Sequence, residues 1–174
     1  MAKLFFQDLP TQEELHKSIA DLNAISDLDP WILYSNLLFM KVATELETKL
    51  DTLLADYNLS SGRFRLLYLL RNSPDGIMPS VLAQKVGVTQ ATISGLLNSL
   101  EKAQLVVRET HAKDGRSFVI KLTDKGNQTI RDIFPRWYPM IKEFWGQFDP
   151  EEKLTPRSYL ERMVQATTTQ KVEQ

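Results

Sequence analysis

Residues 80–102, SVLAQKVGVTQATISGLLNSLEK, constrain the fold more than any other stretch, because they read as two short helices joined by a tight turn. Gly87 stands where the first helix must stop, since glycine reaches left-handed dihedral angles without a steric penalty. Thr89 is a good N-cap for the second helix. The second helix has one apolar face at helical spacing, made of Ile93, Leu96, Leu97 and Leu100.

The opposite face of the second helix carries small and polar residues. They are Gln90, Thr92, Ser94, Gly95, Asn98 and Lys102. A helix that packs by one side and exposes small polar groups on the other is typical of the helix-turn-helix, whose second helix enters a DNA major groove. An ordinary helical hairpin inside a core is the alternative that this stretch alone leaves open.

Basic charge is concentrated around the same stretch. Residues 60–126 contain ten Lys or Arg and five Asp or Glu, a net charge of +5, whereas residues 1–59 contain four and ten, a net charge of −6. The chain's net charge of −1 therefore does not argue against nucleic acid, because the footprint of a DNA-binding surface is local. A chance imbalance on a solvated surface is the alternative.

Two short β-branched runs follow, Leu105 to Thr110 and Phe118 to Leu122, and Asp114-Gly115 between them predicts a hairpin turn. Lys113 and Arg116 at its tip can reach phosphates or an adjacent minor groove. Asp114 reads as a local clamp on an arginine. A plain solvated hairpin is the alternative, but the order helix, helix, helix, hairpin favours a winged helix.

Helices are also predicted on both sides of this module. Before it lie a helix from Thr11 to Ile25, opened by a capping box of Thr11 and Glu14, and a long helix from Trp31 to Tyr57. The long helix is apolar on more than one face, which suits contact with its own domain and with a second subunit. A central core helix of a monomer fits the same periodicity. A third helix spans Ser60 to Asn72, capped by Ser60 or Ser61.

After the hairpin, Thr123 caps a helix that runs to Phe134, and Pro135 and Pro139 are expected to bend or interrupt it. A last helix restarts at Thr155-Pro156. Six aromatic residues cluster in this region: Phe134, Trp137, Tyr138, Phe144, Trp145 and Phe148. Core packing and a subunit interface both suit such a cluster, and we favour the interface.

The composition leaves little material for an enzyme. The absence of cysteine excludes disulfides, thiolate catalysis and cysteine zinc sites. His16 and His111 are isolated, and no glycine-rich phosphate loop is present. We therefore predict no catalytic residues, no metal site and no cofactor. No apolar run is long enough to span a membrane and no export signal is apparent, so we expect a cytoplasmic protein.

The chain resembles the MarR family of transcriptional regulators. The resemblance rests on Leu59-Ser60, on VLAQKVGVTQATISGLLNSLEK followed by LVVRE, and on Asp114-Gly115-Arg116 followed by Val119 to Leu122, Thr123 and Lys125-Gly126. It covers residues 59–126 closely, and 31–58 and 127–165 more loosely. Three positions depart from the family pattern, which usually has arginine in place of Gly95, a larger basic pair in place of Asp114-Gly115-Arg116, and glycine in place of Gln104.

The resemblance implies a mainly α fold with a small β-hairpin wing (α+β). This is a winged helix-turn-helix with flanking N- and C-terminal dimerisation helices. It further implies a homodimer on a pseudo-palindromic DNA operator, acting as a repressor and often released by a small aromatic or phenolic ligand. The predicted segments are an arm with a short helix (1–30), a long helix of the dimerisation layer (31–58), the DNA-binding domain (59–126), the C-terminal dimerisation helices (127–168) and a flexible tail (169–174).

The predicted DNA contacts come from the helix-turn-helix, the wing and the helix before them. They are Ser80, Thr89, Gln90, Thr92, Ser94, Gly95, Asn98, Lys102, Lys113, Asp114, Arg116, Arg63 and Arg65. A ligand pocket is predicted from the aromatic residues Trp31, Tyr34, Phe39, Phe64 and Tyr68. Between Val88 and Glu101 the recognition helix carries no positive charge. A winged-helix protein-interaction module, or a regulator with weakened DNA binding, is therefore the alternative function.

Overall fold

The computed structural model of the 174-residue chain describes residues 8–20, 29–111, 114–148, 151 and 154–169. Side chains at positions 12, 20, 111, 114–116, 154–155 and 168–169 are not described. The elements in chain order are α1 (Gln12–Ala20), α2 (Pro30–Ala55), α3 (Ser61–Arg71), α4 (Pro79–Val86), α5 (Gln90–Lys102), β1 (Val106–His111), β2 (Asp114–Leu122), α6 (Asp124–Trp145) and α7 (Leu154–Thr169).

Residues 1–127 and 128–174 form two compact units. The predicted fold class is confirmed: the described residues form seven helices and one two-stranded antiparallel hairpin in the order of a winged helix. In the part of the chain that the structure describes, no helix is both long and apolar enough to span a membrane.

The helix-turn-helix forms as its sequence predicts. Gly87 ends α4 in the left-handed region at φ +68°, and its N–H donates to the carbonyl of Gln84 at 3.3 Å. The Thr89 hydroxyl caps α5 by accepting from the N–H of Thr92 at 3.2 Å. The stripe on α5 is buried at Ile93, Leu97 and Leu100, which are at most 2% exposed.

Helix α3 packs against both α2 and α5. Ser60 is the N-cap of α3, and the neighbouring Ser61 donates its backbone N–H to the carboxylate of Asp51 on α2 at 2.8 Å. Buried apolar residues of α2 and α3 form the centre of the core: Leu54, Phe64, Leu66, Leu67 and Leu70. Each buried side chain of this kind contributes about 1.5–3 kcal/mol, so this core fixes the platform on which α5 lies.

The hairpin is longer and less regular than predicted. Thr110 pairs with Phe118 but His111 pairs with Asp114, so an irregularity lies on β2 between these two pairs. The prediction that Asp114-Gly115 forms the turn is therefore wrong, because both residues already belong to β2. Ile77 forms an isolated antiparallel bridge with β2. Its N–H donates to the carbonyl of Ile120 at 3.0 Å, and its carbonyl accepts from the N–H of Ile120 at 2.9 Å.

The start of α6 is fastened to the end of α5. The Thr123 hydroxyl donates to the carbonyl of Gln104 at 2.7 Å and accepts from the N–H of Gly126 at 3.0 Å. A Cβ at Gly126 would collide with the carbonyl oxygen of Leu105. Glycine is therefore required at position 126 by this close approach.

In the second unit, α6 runs without interruption through Pro135 and Pro139, so an interruption at these residues is excluded, whereas a bend there stays a prediction. Each proline removes a backbone donor at a cost of about 3 kcal/mol. The two prolines are four residues apart and both exposed, so the carbonyls that they leave without a partner lie on a side accessible to water. Ile130 and Ile133 are fully buried on another side, and Phe134 packs edge-to-face on Trp137 at 5.4 Å.

The capping box of the N-terminal helix is confirmed. The backbone N–H of Thr11 donates to the carboxylate of Glu14 at 2.8 Å, and the N–H of Glu14 donates to the Thr11 hydroxyl at 3.2 Å. The hydrogen bonds that the Thr11 backbone N–H and the Thr11 hydroxyl donate to this carboxylate hold the pKa of Glu14 below its ordinary value. Helix α1 is described to Ala20. The predicted continuation to Ile25 lies outside the described residues, as do residues 170–174 of the predicted tail.

The C-terminus of α5 contains a residue in a conformation that ordinarily requires glycine. Gln104 has φ +60°, its N–H donates to Glu101 at 2.9 Å, and the N–H of Leu105 reaches back to Leu100 at 2.9 Å. These bonds are those of a Schellman motif, whose left-handed position is usually glycine. The side chain of Gln104 is exposed and makes no hydrogen bond with the described residues.

Replacing Gln104 with glycine is therefore expected to stabilise the protein by about 0.5–1 kcal/mol. The left-handed penalty of about 1–2 kcal/mol is relieved, and part of that gain is offset by the greater freedom of glycine in the unfolded chain. Differential scanning calorimetry should show a melting temperature raised by about 1–4 °C. Gly87→Ala is the matched control, because it introduces a Cβ at a second left-handed helix end and should lower the melting temperature. A decrease for Gln104→Gly would contradict this explanation.

Candidate nucleic-acid interface

The face of α5 opposite its buried apolar stripe is exposed. The predicted contacts Ser80, Thr89, Gln90, Thr92, Ser94, Gly95, Asn98 and Lys102 are all exposed. Ala91, Gly95, Asn98 and Lys102 follow one another at spacings of four, three and four residues, which places them along one side of the helix. Because Ala91 and Gly95 are very small, this side allows another molecule to approach the helix backbone closely.

None of the residues that the structure describes requires a glycine at position 95. A Cβ at this position would meet nothing within 4 Å, and the backbone is ordinary helix. Glycine inside a helix costs about 0.5–1 kcal/mol relative to alanine. The described residues therefore give no structural reason for a glycine at position 95.

Arg108 on β1 joins the hairpin to α5. Its Nη2 donates to Oδ1 of Asn98 at 2.6 Å, and its Nε lies 3.3 Å from a carboxylate oxygen of Glu101. The guanidinium also lies 5.3 Å from the centre of the Phe118 ring, within the range of a cation–π contact. We call this group of Arg108, Asn98, Glu101 and Phe118 the Arg108 clamp.

The other basic side chains differ in how far they are already engaged. Arg63 donates to the carbonyl of Asn58 at 3.1 Å, and Arg65 lies 3.3 Å from Glu47. Such surface pairs contribute at most about 1 kcal/mol, so these arginines can exchange their partners for phosphate. Lys85 and Lys102 are exposed and make no ion pair within the described residues.

The tip of the hairpin is only partly described. Lys113 lies outside the described residues, and the side chains of Asp114 and Arg116 are not described, although both residues belong to β2. On the part of the hairpin that is described, Lys121 forms a 2.8 Å ion pair with Glu109. The hydrogen bond and the charge of Glu109 raise the pKa of Lys121. This pair neutralises one positive charge at the base of the hairpin.

The five aromatic residues predicted to form a ligand pocket lie in different environments. Trp31 and Tyr34 line a cavity of about 160 Å³ between α1 and the start of α2, together with Leu15, His16, Asp29 and Pro30. Phe64 is only 2% exposed and belongs to the core, while Phe39 and Tyr68 are half-exposed. The structure thus brings Trp31 and Tyr34 together at a cavity that the sequence did not localise.

Two functional candidates were missed at the level of sequence. The sequence contains an indication for Arg108. Side chains alternate between the two faces of a strand, so Arg108 lies on the same face of β1 as the buried Val106 and therefore towards α5. Lys85 carried a weaker one, since it is the basic residue in the last turn of α4, the helix that crosses the DNA backbone in a helix-turn-helix. Neither pattern reveals the partner that the side chain contacts.

Comparisons with known proteins agree with this geometry. The MarR family model matches residues 57–117. The transcriptional repressor YetL of Bacillus subtilis is 30% identical over 129 residues, covering 74% of this chain and 77% of that protein. The MepR–DNA complex of Staphylococcus aureus superposes with a TM-score of 0.68 at 25% identity, covering 76% of this chain and 95% of that chain.

CouR of Rhodococcus jostii, solved with bound p-coumaroyl-CoA, has a TM-score of 0.65. It is 21% identical to this chain, covering 74% of it and 90% of the CouR chain, and its likeness is one of fold.

Proposed function

This chain belongs to the MarR family of DNA-binding transcriptional regulators, and from that premise we propose that it is a homodimeric repressor of a pseudo-palindromic operator. The observation that carries the proposal is the exposed face of α5, where small side chains leave the helix backbone accessible along its length. YetL, at 30% identity, is named as a repressor. Repression follows when a bound dimer covers the operator.

In the proposed complex, α5 of each subunit enters a major groove. Two such helices fit successive grooves when the half-sites are one turn apart, roughly 34–36 Å. Gln90, at the first turn of α5, is placed to read an adenine, and Thr92, Ser94 and Asn98 contact base edges or phosphates. Ser80, at the start of α4, and Thr89, at the start of α5, contact the DNA backbone.

Phosphate attraction comes from Lys102 at the end of α5 and from residues outside this helix, because residues 89–100 contain no Lys or Arg. The proposed phosphate contacts are Arg63, Arg65, Lys102, Lys113 and Arg116, with Asp114 orienting the wing arginine. Lys85 extends this set. Each phosphate neutralised contributes about 0.9 to the slope of log affinity against log salt concentration.

Arg116→Ala is expected to weaken binding to all DNA sequences alike and to reduce the salt slope by about 0.9 per subunit. The measurement is fluorescence anisotropy of labelled duplex DNA, titrated at several salt concentrations, with the sequence enriched from a random pool and with unrelated DNA. Lys17→Ala is the control, since it removes one positive charge on α1, outside the proposed interface. An unchanged slope for Arg116→Ala would exclude the wing contact, and a wild-type protein that binds no DNA at low salt would exclude the proposed function.

The homodimer is supported by apolar surface on both units. Large side chains of α2 are exposed between residues 31 and 42: Trp31, Ile32, Leu33, Leu38, Phe39, Met40 and Val42. In the second unit, Trp145, Leu160 and Val164 line an apolar groove of about 640 Å³. Exposed large apolar side chains in such numbers are typical of protein interfaces, and a second copy of the chain is the proposed partner.

Ile32→Glu is expected to shift the protein towards the monomer, because it places a charge on the most exposed of these side chains, 67% accessible in the isolated chain. A two-fold interface contains the change twice, so we expect the dimer dissociation constant to rise at least about 100-fold. Light scattering after size-exclusion chromatography measures the mass. Thr48→Glu introduces the same residue at a polar, exposed position of α2 and should remain dimeric. Equal behaviour of the two variants would exclude this face.

We further propose that the cavity between α1 and α2 binds a small aromatic ligand. Its volume of about 160 Å³ suits a single ring, since a cavity of about 150 Å³ holds benzene. Trp31 and Tyr34 supply aromatic walls, and Asp29 contributes a carboxylate that favours a phenolic O–H over a second carboxylate. Filling the cavity would bias the helices that support the DNA-reading module.

Simple phenols are therefore expected to raise the melting temperature more than benzoates of the same size, and to lower operator affinity. A ligand at about 100 times its dissociation constant stabilises by about 2.7 kcal/mol, which thermal-shift measurements detect. Trp31→Ala should abolish the shift. Tyr138→Ala removes an exposed aromatic side chain of the second unit and should leave the shift unchanged. No shift with any phenol, or the same shift in Trp31→Ala, would exclude this site.

A further inference from the structure

The Arg108 clamp fixes which way the side-chain amide of Asn98 points. A guanidinium has only donors, so the atom that faces it must be the carbonyl oxygen of the amide, in agreement with the 2.6 Å contact to Oδ1. The amide nitrogen of Asn98 has no acceptor among the described residues. Both of its N–H groups are therefore available to a molecule lying on α5.

Asn98 also has the most prominent position on the exposed side of α5. Its neighbours along that side are Ala91 and Gly95, which have one and no side-chain carbon atoms, and Ser94 is adjacent. Next along the helix is Lys102, whose ammonium is a flexible point charge suited to phosphate. Asn98 is therefore the side chain best placed to contact a base edge in the middle of this face.

We propose that Arg108 is a positioning residue that sets base specificity by making Asn98 a donor-only reader, which selects guanine and rejects adenine. The inference rests on the proposed function, since it requires α5 in a major groove. A free asparagine pairs with adenine through both its oxygen and its nitrogen, because adenine presents one donor and one acceptor. Guanine presents two acceptors, O6 and N7, and no donor on that edge.

The clamp disfavours adenine in two ways: it occupies one lone pair of the Asn98 side-chain oxygen, and it places a positive charge beside that oxygen. The oxygen of Asn98 has a second lone pair, but the N6 amino group of adenine would have to approach it beside the positive guanidinium. Glu101 and Phe118 hold that guanidinium in place, by the ion pair at 3.3 Å and by the ring face at 5.3 Å. Arg108 therefore cannot swing away from Asn98 without losing two further contacts.

The test is selection of bound duplexes from a random DNA pool, followed by measurement of the guanine-to-adenine affinity ratio at each position. The wild type is compared with Asn98→Ala, Glu101→Gln and the double variant Glu101→Gln/Arg108→Met. The double variant removes the clamp without changing net charge, so its non-specific phosphate attraction stays close to that of the wild type. Glu101→Gln alone retains the bond from Arg108 to Asn98.

We expect one position in each half-site to require guanine in the wild type and to lose that preference in Asn98→Ala. At that position the double variant should accept adenine, with the guanine-to-adenine ratio reduced about tenfold or more. Glu101→Gln should keep the wild-type ratio. If the double variant fails to fold, as judged by thermal unfolding, Arg108→Met alone is tested by the same criterion, because the guanine-to-adenine ratio at one position does not depend on the sequence-independent phosphate attraction.

The outcomes separate the two proposals. A wild type that enriches no sequence overturns the proposed function and this inference with it. A wild type that enriches a palindromic site, combined with an unchanged ratio after removal of the clamp, overturns the inference alone. The inference is also overturned if the position that depends on Asn98 selects adenine in the wild type.

Discussion

Burial of the apolar stripe on α5 is the interaction on which the rest of the structure depends. Ile93, Leu97 and Leu100 are held against the core formed with α3 and α4, and this burial fixes the rotation of α5 about its own axis. Because the rotation is fixed, the opposite side of the helix faces solvent with a defined set of small side chains. The surface that we propose to meet DNA is therefore determined by the hydrophobic core rather than by the polar residues that form it.

The architecture could be predicted because its signals are local. Gly87, Thr89 and the stripe on α5 each specify a helix boundary or a buried face without reference to distant residues. The prediction of a turn at Asp114-Gly115 was wrong because the position of a turn depends on how the two strands pair. An irregularity on β2 shifts this pairing, so that both residues lie within the strand. Likewise, the interruption expected at Pro135 does not occur, because burial of other side chains of α6 outweighs a local preference.

The candidate site was predictable as a surface but not as a set of contacts. Exposure of Gln90, Ser94 and Asn98 follows from helical periodicity, whereas the bond from Arg108 to Asn98 joins residues on two different elements. Hydrogen bonds of this kind are fixed only when the hairpin docks on the helix. The sequence therefore indicates which groups face outward, but not which of their donors and acceptors are already used within the protein.

The base of the hairpin is anchored at several points: the backbone pairing of Ile77 with Ile120, the Arg108 clamp and the hydroxyl of Thr123. If the wing enters a DNA groove, as we propose, a wing held in this way has little freedom to follow a groove of the wrong width. The DNA must then supply the adjustment, and its cost depends on how easily the base steps beneath the wing deform. Base pairs that no side chain touches consequently contribute to selectivity, and the stiffness of the operator becomes part of the signal that the protein reads.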